Sequence, residues 1–301
     1  MSTAATLEMS SATVVFGSGG TRHTVLDRVS LLVRPGEFVS LIGPSGCGKS
    51  TVLNVFAGFV PCAAGTATLD SRPITGPGPD RSVVFQQYSL FPWLNVQRNV
   101  EYGLRAQGVS RQVRRAKALK LLEHAGLAQY ADRYPDQLSG GMKQRVGIIR
   151  AFATDPRVLL MDEPFSALDA QTRLTMQQLL TDIWGEHRIS VLFVTHDIEE
   201  AVFLSDRVFV MSAAPGRILR ELSVALPRPR ETDLVDTAAF LEYVHEIRVL
   251  VRQEGLVGIG ESQGDATDGQ EPAEESELQR VLKALLRRAG SVAAISSKAE
   301  S

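Results

Sequence analysis

Cysteine is scarce in this chain of 301 residues: only Cys47 and Cys62 are present, too few for a disulfide framework. That usage suits a reducing compartment. Long hydrophobic runs are missing as well. No stretch approaches the ~18–20 apolar residues that a bilayer-spanning helix needs, so any membrane attachment is expected to come through a partner. Nor is there an excess of charge of one sign. The 32 Lys and Arg against 34 Asp and Glu leave a net charge of −2, which gives no whole-chain case for binding nucleic acid. The start, Met1 to Glu8, lacks the basic residues and apolar stretch of a signal peptide. The length allows one large domain with a sizeable core and smaller pieces beside it.

What is there begins at Gly43-Pro44-Ser45-Gly46-Cys47-Gly48-Lys49-Ser50, which fits the phosphate-loop pattern G-x-x-x-x-G-K-[ST]. The apolar run Phe38 to Ile42 reads as a strand entering the loop, and Ser50, Thr51 and the residues to Ala57 read as a helix leaving it. That context is the one the motif requires. Glycines let successive backbone N–H groups turn inward on phosphates, and the helix start adds free donors and a positive dipole end. Lys49 is placed to reach the β- and γ-phosphates and the Ser50 hydroxyl to ligate Mg²⁺. Downstream, Val158 to Met161 is a short apolar run suited to a buried parallel strand, and it ends in Asp162-Glu163. Alternation turns the two carboxylates in different directions. Asp162 is the candidate for the metal side and Glu163 for the attacking water.

Two further segments stand between and after these. Leu138-Ser139-Gly140-Gly141-Met142 precedes a helix-like run and by itself reads as a helix N-cap, where Ser139 and the N–H groups of Gly140 and Gly141 would also suit an anion. Ser166-Ala167-Leu168-Asp169 follows the acidic pair, and His196 sits in Val194-Thr195-His196-Asp197. Taken in order, these segments resemble the ATP-binding-cassette (ABC) ATPases over about residues 10–250. Leu138 to Met142 resembles that family's signature, with Met142 where Gln is usual. The resemblance implies ATP and Mg²⁺ as ligands. It also implies that Gln86 contacts Mg²⁺ or its water, that Ser166 to Asp169 speaks to the opposite subunit's site, and that His196 contacts the γ-phosphate. Phe16 stands where the family stacks an aromatic on adenine; a core aromatic at a strand end fits the same residues. Two phosphate-binding ends in one chain suit a head-to-tail pair closing on two ATP molecules. The implied fold is α/β: a P-loop ATPase core, an antiparallel β subdomain, and an inserted helical subdomain at about 87–155.

The wording around the motifs resembles the nitrate/sulfonate/taurine branch of importers, notably Phe91-Pro92-Trp93-Leu94, Asp162 to Arg173, and Thr195 to Arg207. The implied role is the ATPase subunit of an importer, peripheral on the cytoplasmic face of the inner membrane. Its partners would be a second ATPase copy, a transmembrane permease and, indirectly, a periplasmic or lipid-anchored solute-binding protein. A vitamin-precursor importer and an exporter share the same catalytic motifs. DNA-repair and translation members of the family fit poorly, because one motif set is present and 87–155 is too short for a long coiled coil. A signalling GTPase would lack Leu138 to Gly141. The large apolar side chains from Tyr88 to Leu94 read as a buried elbow between subdomains or, as the importer resemblance implies, a groove for a permease helix with Phe91, Trp93 or Leu94 in contact.

The remaining organisation is expected as follows. Residues 1–9 form a tail and 10–254 the ATPase. Asn95 and Ser110 cap two helices, the second with a solvated basic face from Arg111 to Lys120 and an apolar side of Val113, Leu121 and Leu122. Asp233 to Glu254 reads as a helix with Leu234, Phe240, Leu241, Val244, Ile247 and Leu250 inward. Residues 255–277 read as an acidic disordered linker, and 278–301 as a short amphipathic helix and tail.

Overall fold

The computed structural model describes residues 4–17, 22–87 and 89–262. The segment read as linker beyond 262 and the helix expected at 278–301 lie outside these residues.

Five consecutive buried positions mark each of three central strands: β3 (Phe38–Ile42), β8 (Ser190–Val194) and β9 (Arg207–Met211). Apolar side chains on both faces are what a parallel sheet covered on both sides requires. These strands belong to a six-stranded sheet with β6 (Arg81–Val84), β7 (Val158–Asp162) and β10 (Ile218–Ser223), in the order β10-β9-β3-β8-β7-β6. All its pairs are parallel except β10 with β9. Alternate residues divide between two cores. Leu159 and Met161 of β7 join Phe38, Val191 and Phe193 on one face. Val158 and Leu160 join Val39, Leu41 and Leu192 on the other.

The second face is closed by helix α1 (Lys49–Ala57) and a four-stranded antiparallel sheet, order β2-β1-β4-β5. Its strands are β1 (Leu7–Phe16), β2 (His23–Val33), β4 (Ala64–Leu69) and β5 (Arg72–Pro73). The first face carries α2 (Val96–Ala106), α3 (Arg111–His124), α4 (Gly140–Ala153), α5 (Ala170–His187), α6 (Ile198–Leu204) and α7 (Ala238–Ser262). The fold is thus α/β with an antiparallel β piece and a helical insertion between β6 and β7.

Several boundaries differ from the sequence reading. Strand β1 begins at Leu7, and Ala5 just before it is buried with Leu7 and Met9, so this segment contributes to the core rather than forming a tail. Asn95 caps α2 by accepting from the Arg98 N–H at 2.9 Å. Ser110 stands at the matching place before α3 but its hydroxyl makes no cap. Val113 is exposed; the inward side of α3 is Ala118, Leu121 and Leu122. Residues Thr232–Asp236 form a separate 3-10 turn, so the following helix starts at Ala238, not Asp233. Phe240, Val244 and Ile247 are buried there, while Leu241 points outward. That helix runs on to Ser262, eight residues into the range read as linker.

Candidate functional site

Four parallel neighbours end on one edge of the large sheet. Strand β3 runs into Gly43, β6 leads to Gln86, β7 ends at Asp162, and β8 leads to Thr195 and His196. Register holds these ends level: Leu41 pairs with Val194, Asp162 with Val194, and Val84 with Met161. The carboxyl edge of such a sheet is where α/β folds place their ligands.

The phosphate loop is shaped by its glycines. Gly46 and Gly48 hold φ of 76° and 97°, the left-handed region that favours glycine. Gly48 is also the residue before α1, and a Cβ there would meet the Leu26 side chain at 2.7 Å. Lys49 opens α1 and is buried. Its ammonium donates to the carbonyls of Gly43 and Pro44 at 2.9 and 2.8 Å, so the charge lies across the loop. Cys47 is buried beneath the loop, and burial pushes its thiol up. Ser45 and Gly46 face outward, as does Ser50, and Thr51 is half-buried. Phe16 is 37% exposed and ends the strand whose Val14 pairs with Leu26, the residue lying on Gly48. An aromatic of the core would be covered; this one is not.

Ser50 joins the loop to the acidic strand end. Its hydroxyl donates to Asp162 Oδ1 at 3.0 Å. Burial raises the Asp162 carboxyl, and the charge of Glu163 adds to it; the Ser50 hydroxyl and Lys49 act the other way. Glu163 holds φ of 43°, a left-handed conformation costing about 1–2 kcal/mol in a residue with a Cβ. Three hydrogen bonds hold it there. Its N–H donates to Val194 O at 2.9 Å, and its carbonyl accepts from the Ser166 N–H at 3.3 Å and the Ser166 hydroxyl at 3.0 Å. Strain maintained by its surroundings is characteristic of functional positions.

Glu163 Oε2 and His196 Nδ1 are 3.0 Å apart. A carboxylate only accepts, so Nδ1 carries the proton and Nε2 is the ring nitrogen left for another partner. Gln86, exposed, donates to the Ser166 hydroxyl at 3.3 Å. Gln86, Ser166, Glu163 and His196 thus form one hydrogen-bonded chain. Ser139 caps α4, accepting from the Met142 N–H at 3.3 Å. Asp169 caps α5, accepting from the Thr172 N–H at 2.9 Å and its hydroxyl at 2.7 Å, and these bonds hold its carboxyl below the usual range. The two helix starts touch: a Cβ on Gly141 would come within 2.6 Å of the Thr172 methyl carbon. The chain therefore carries two glycine-bearing helix starts, the phosphate loop at α1 and the Ser139 to Gly141 end beside Asp169.

The comparisons with known proteins agree with this geometry. The family model described as ABC transporter matches residues 26–166. The nitrate import ATP-binding protein NrtD of Synechocystis sp. is 46% identical over 252 residues, covering 82% of this chain and 95% of that protein. The chain belongs to the ABC transporter family. It binds ATP and is an ATPase of that family. The taurine import ATP-binding protein TauB of Yersinia pestis is 52% identical over 199 residues, 66% of this chain and 78% of that one. Among solved structures, the dimeric cassette MJ0796 superposes with a TM-score of 0.66 at 34% identity, covering 73% of this chain and 100% of that one. MJ0796 is also known in a post-hydrolysis state bound to ADP and Pi.

Three contributors escaped the sequence reading. Arg173 lies on α5, four residues after Asp169. Glu200 lies on α6, and its carboxyl accepts from the Thr195 hydroxyl at 2.6 Å. Asn99, fully buried, donates to the carbonyls of Phe91, Leu94 and Asn95 and accepts from the Phe91 N–H. Asp197 and Glu200 have the spacing of a capping box, the one signal that pointed to Glu200.

Proposed function

We propose that this ATPase subunit powers import of a small oxyanion or sulfonate solute, of the nitrate and taurine class that its relatives' names give, through a separate transmembrane permease. The observation that carries the ATPase half is the Ser50–Asp162 and Glu163–His196 pairs on the sheet edge that also bears the phosphate loop. Backbone N–H groups from Gly43 to Ser50 and the Lys49 ammonium bind the phosphates. Glu163 holds the attacking water with the carboxylate oxygen that His196 does not take. His196 Nε2 faces the γ-phosphoryl group, and Phe16 stacks on the adenine.

Magnesium fits the donor set. Ser50, Asp162 and Gln86 offer oxygens, and among the described residues no group of three or more His, Cys, Asp or Glu is placed to hold a metal unaided. A small hard cation held by one or two protein oxygens and the substrate's phosphates matches that composition. When bound, Mg²⁺ neutralises charge on the β- and γ-oxygens.

Two copies close head to tail, with Ser139, Gly140, Gly141 and Asp169 of each facing the ATP of the other. Among the described residues no helix is long and apolar enough to cross a membrane, which supports attachment through the permease at the cytoplasmic face of the inner membrane. A solute-binding protein on the far side completes the system. The permease contact is assigned to the cleft of about 830 Å³ beside Gln86, whose walls include Leu90, Pro92, Pro135, Lys143 and Ser166. Its rim is rigid. Asn99 pins the loop, Phe91 packs on Tyr102 with ring centres 4.3 Å apart, and Arg150 lies 5.4 Å over the Phe91 ring. Trp93 is 66% exposed on this support, whereas Phe91 and Leu94 are half-buried. Trp93→Ala is expected to weaken copurification with the permease while changing stability by no more than about 0.5 kcal/mol and leaving ATP binding intact. Unchanged copurification would remove Trp93 from the contact.

The cargo is tested by growth of a strain lacking this protein. Taurine, an alkanesulfonate or inorganic sulfate is supplied as sole sulfur source, and nitrate separately as sole nitrogen source. A defect on one, rescued by the wild-type chain and not by Glu163→Gln, is the expected result. Normal growth on all of them would overturn this cargo class and move the search to vitamin precursors or to export.

A further inference from the structure

Behind His196 lies a buried polar cluster that the ATP site does not use. Glu200 is 3% exposed on α6. Its Oε2 accepts from the Thr195 hydroxyl at 2.6 Å, and its Oε1 lies 3.5 Å from Arg173 Nε, an ion contact across from α5. The Thr195 hydroxyl oxygen in turn accepts from the Asp197 N–H at 3.0 Å. Asp197 caps α6, with Oδ1 accepting from the N–H groups of Glu199 and Glu200. Its Oδ2 accepts from Arg173 Nη1 at 2.9 Å. The remaining arm of the guanidinium, Nη2, donates to the Leu168 carbonyl at 3.2 Å. One side chain therefore grips the loop Ser166 to Asp169 with one nitrogen, Asp197 with a second, and faces Glu200 with the third, and Glu200 in turn holds Thr195.

We propose that Arg173 is a positioning residue that ties the Leu168 carbonyl to the Asp197 and Glu200 side chains that hold the turn carrying His196, so that a shift of the Ser166–Asp169 loop is delivered to the histidine ring. The proposal rests on the reading of His196 as the group facing the γ-phosphoryl. Three features carry it. The planar guanidinium makes two hydrogen bonds and one ion contact on two segments at once, which a lysine ammonium at the end of a flexible stem does not reproduce. Thr195 and Asp197 are both anchored from this side, and His196 between them, 59% exposed, is held from the other side through Glu163, so a shift of the turn reaches the ring. And the capping box that Asp197 and Glu200 could close between themselves is opened by Thr195, which places Glu200 where it faces Arg173 rather than the helix start. Burial pushes the Glu200 carboxyl up to about 7, with Asp197 adding to it and the Thr195 hydroxyl, Arg173 and His196 opposing.

The test is a double-mutant cycle on the full chain, reading kcat and KM for Mg-ATP in wild type, Arg173→Ala, His196→Ala and the double variant. Arg173→Ala is expected to lower kcat by about tenfold with KM within about twofold of wild type. In the His196→Ala background the same change is expected to lower kcat by less than about twofold, because the group it positions is gone. An equal loss in both backgrounds would overturn the proposal, as would a rise in KM with kcat unchanged. If His196→Ala alone leaves kcat unchanged, the reading of His196 falls as well, and that outcome is visible in the single variant. Should Arg173→Ala fail to fold by thermal melt, Arg173→Lys enters the same cycle. It keeps the charge and loses the three-way grip, and the same non-additivity with His196→Ala decides.

Discussion

Glu163→Gln is expected to bind ATP with near wild-type affinity and to lose about 10²- to 10⁴-fold in kcat, the range general-base catalysis supplies. The change is isosteric and removes only the charge and basicity. The fold should hold, since the left-handed backbone at Glu163 is maintained by Val194 O and by Ser166, not by the carboxylate. The amide oxygen still accepts from His196 Nδ1, so the ring keeps its orientation. What disappears is a group able to take a proton from water. Because hydrolysis is what loosens the closed pair, the variant should also accumulate as an ATP-dependent dimer, visible as an earlier peak in size-exclusion with ATP and a monomer peak without it. Rapid turnover by Glu163→Gln would remove Glu163 from its role, and a monomer at all ATP concentrations would count against two-site closure.

The parts of this site that were legible in the sequence are those whose chemistry is local. A phosphate loop needs glycine at fixed places, a lysine and a hydroxyl within eight positions, and Gly43 to Ser50 supplies them in a row. The carboxylates at Asp162 and Glu163 announce themselves because an apolar strand ends on them. Ser139 is read at a helix start from its type and place, and it is a cap; Asp169, read only by resemblance as the end of a subunit-facing loop, proves to cap α5 as well. What stayed hidden depends on packing between distant segments. Arg173 and Glu200 are 27 positions apart and meet only because α5 and α6 lie together beside the β8 turn. The positive φ of Glu163 has no marker in the sequence, since it is imposed by Val194 and Ser166 rather than chosen by the residue.

Local signals also misled where tertiary context outweighed them. Ser110 has the right type for a cap, yet Arg114 donates to the carbonyl of Val109 and to Glu101, and this arrangement holds the turn without the serine hydroxyl. Val113 and Leu241 fall on helical spacing with buried neighbours but turn to the outer side of their helices. The helix read as ending at Glu254 continues through Gly255 and Gly258, since a glycine costs a helix only about 1 kcal/mol.

Lys49→Ala is expected to weaken ATP binding by about 10²-fold, as loss of a charge-assisted hydrogen bond to phosphate of up to about 3 kcal/mol implies. The side chain serves two sets of partners. It holds the Gly43 and Pro44 carbonyls across the loop, and it carries the one lysine charge buried on this sheet edge among the described residues. Removing it therefore loosens the loop and strips charge from the site. The two contributions separate by measurement. Ser50 remains bonded to Asp162 and α1 keeps its apolar contacts through Val52, Leu53 and Phe56, so the melting temperature should fall only slightly. Nucleotide affinity, read by titration with a fluorescent ATP analogue, should collapse. Lys49→Met isolates the charge further, because it keeps much of the stem that packs under the loop. If Lys49→Ala and Lys49→Met lose affinity equally, the lysine acts chiefly through its charge at the phosphates. If Met binds as wild type, the lysine acts by filling space, and the phosphate-loop reading of Gly43 to Ser50 loses its central residue.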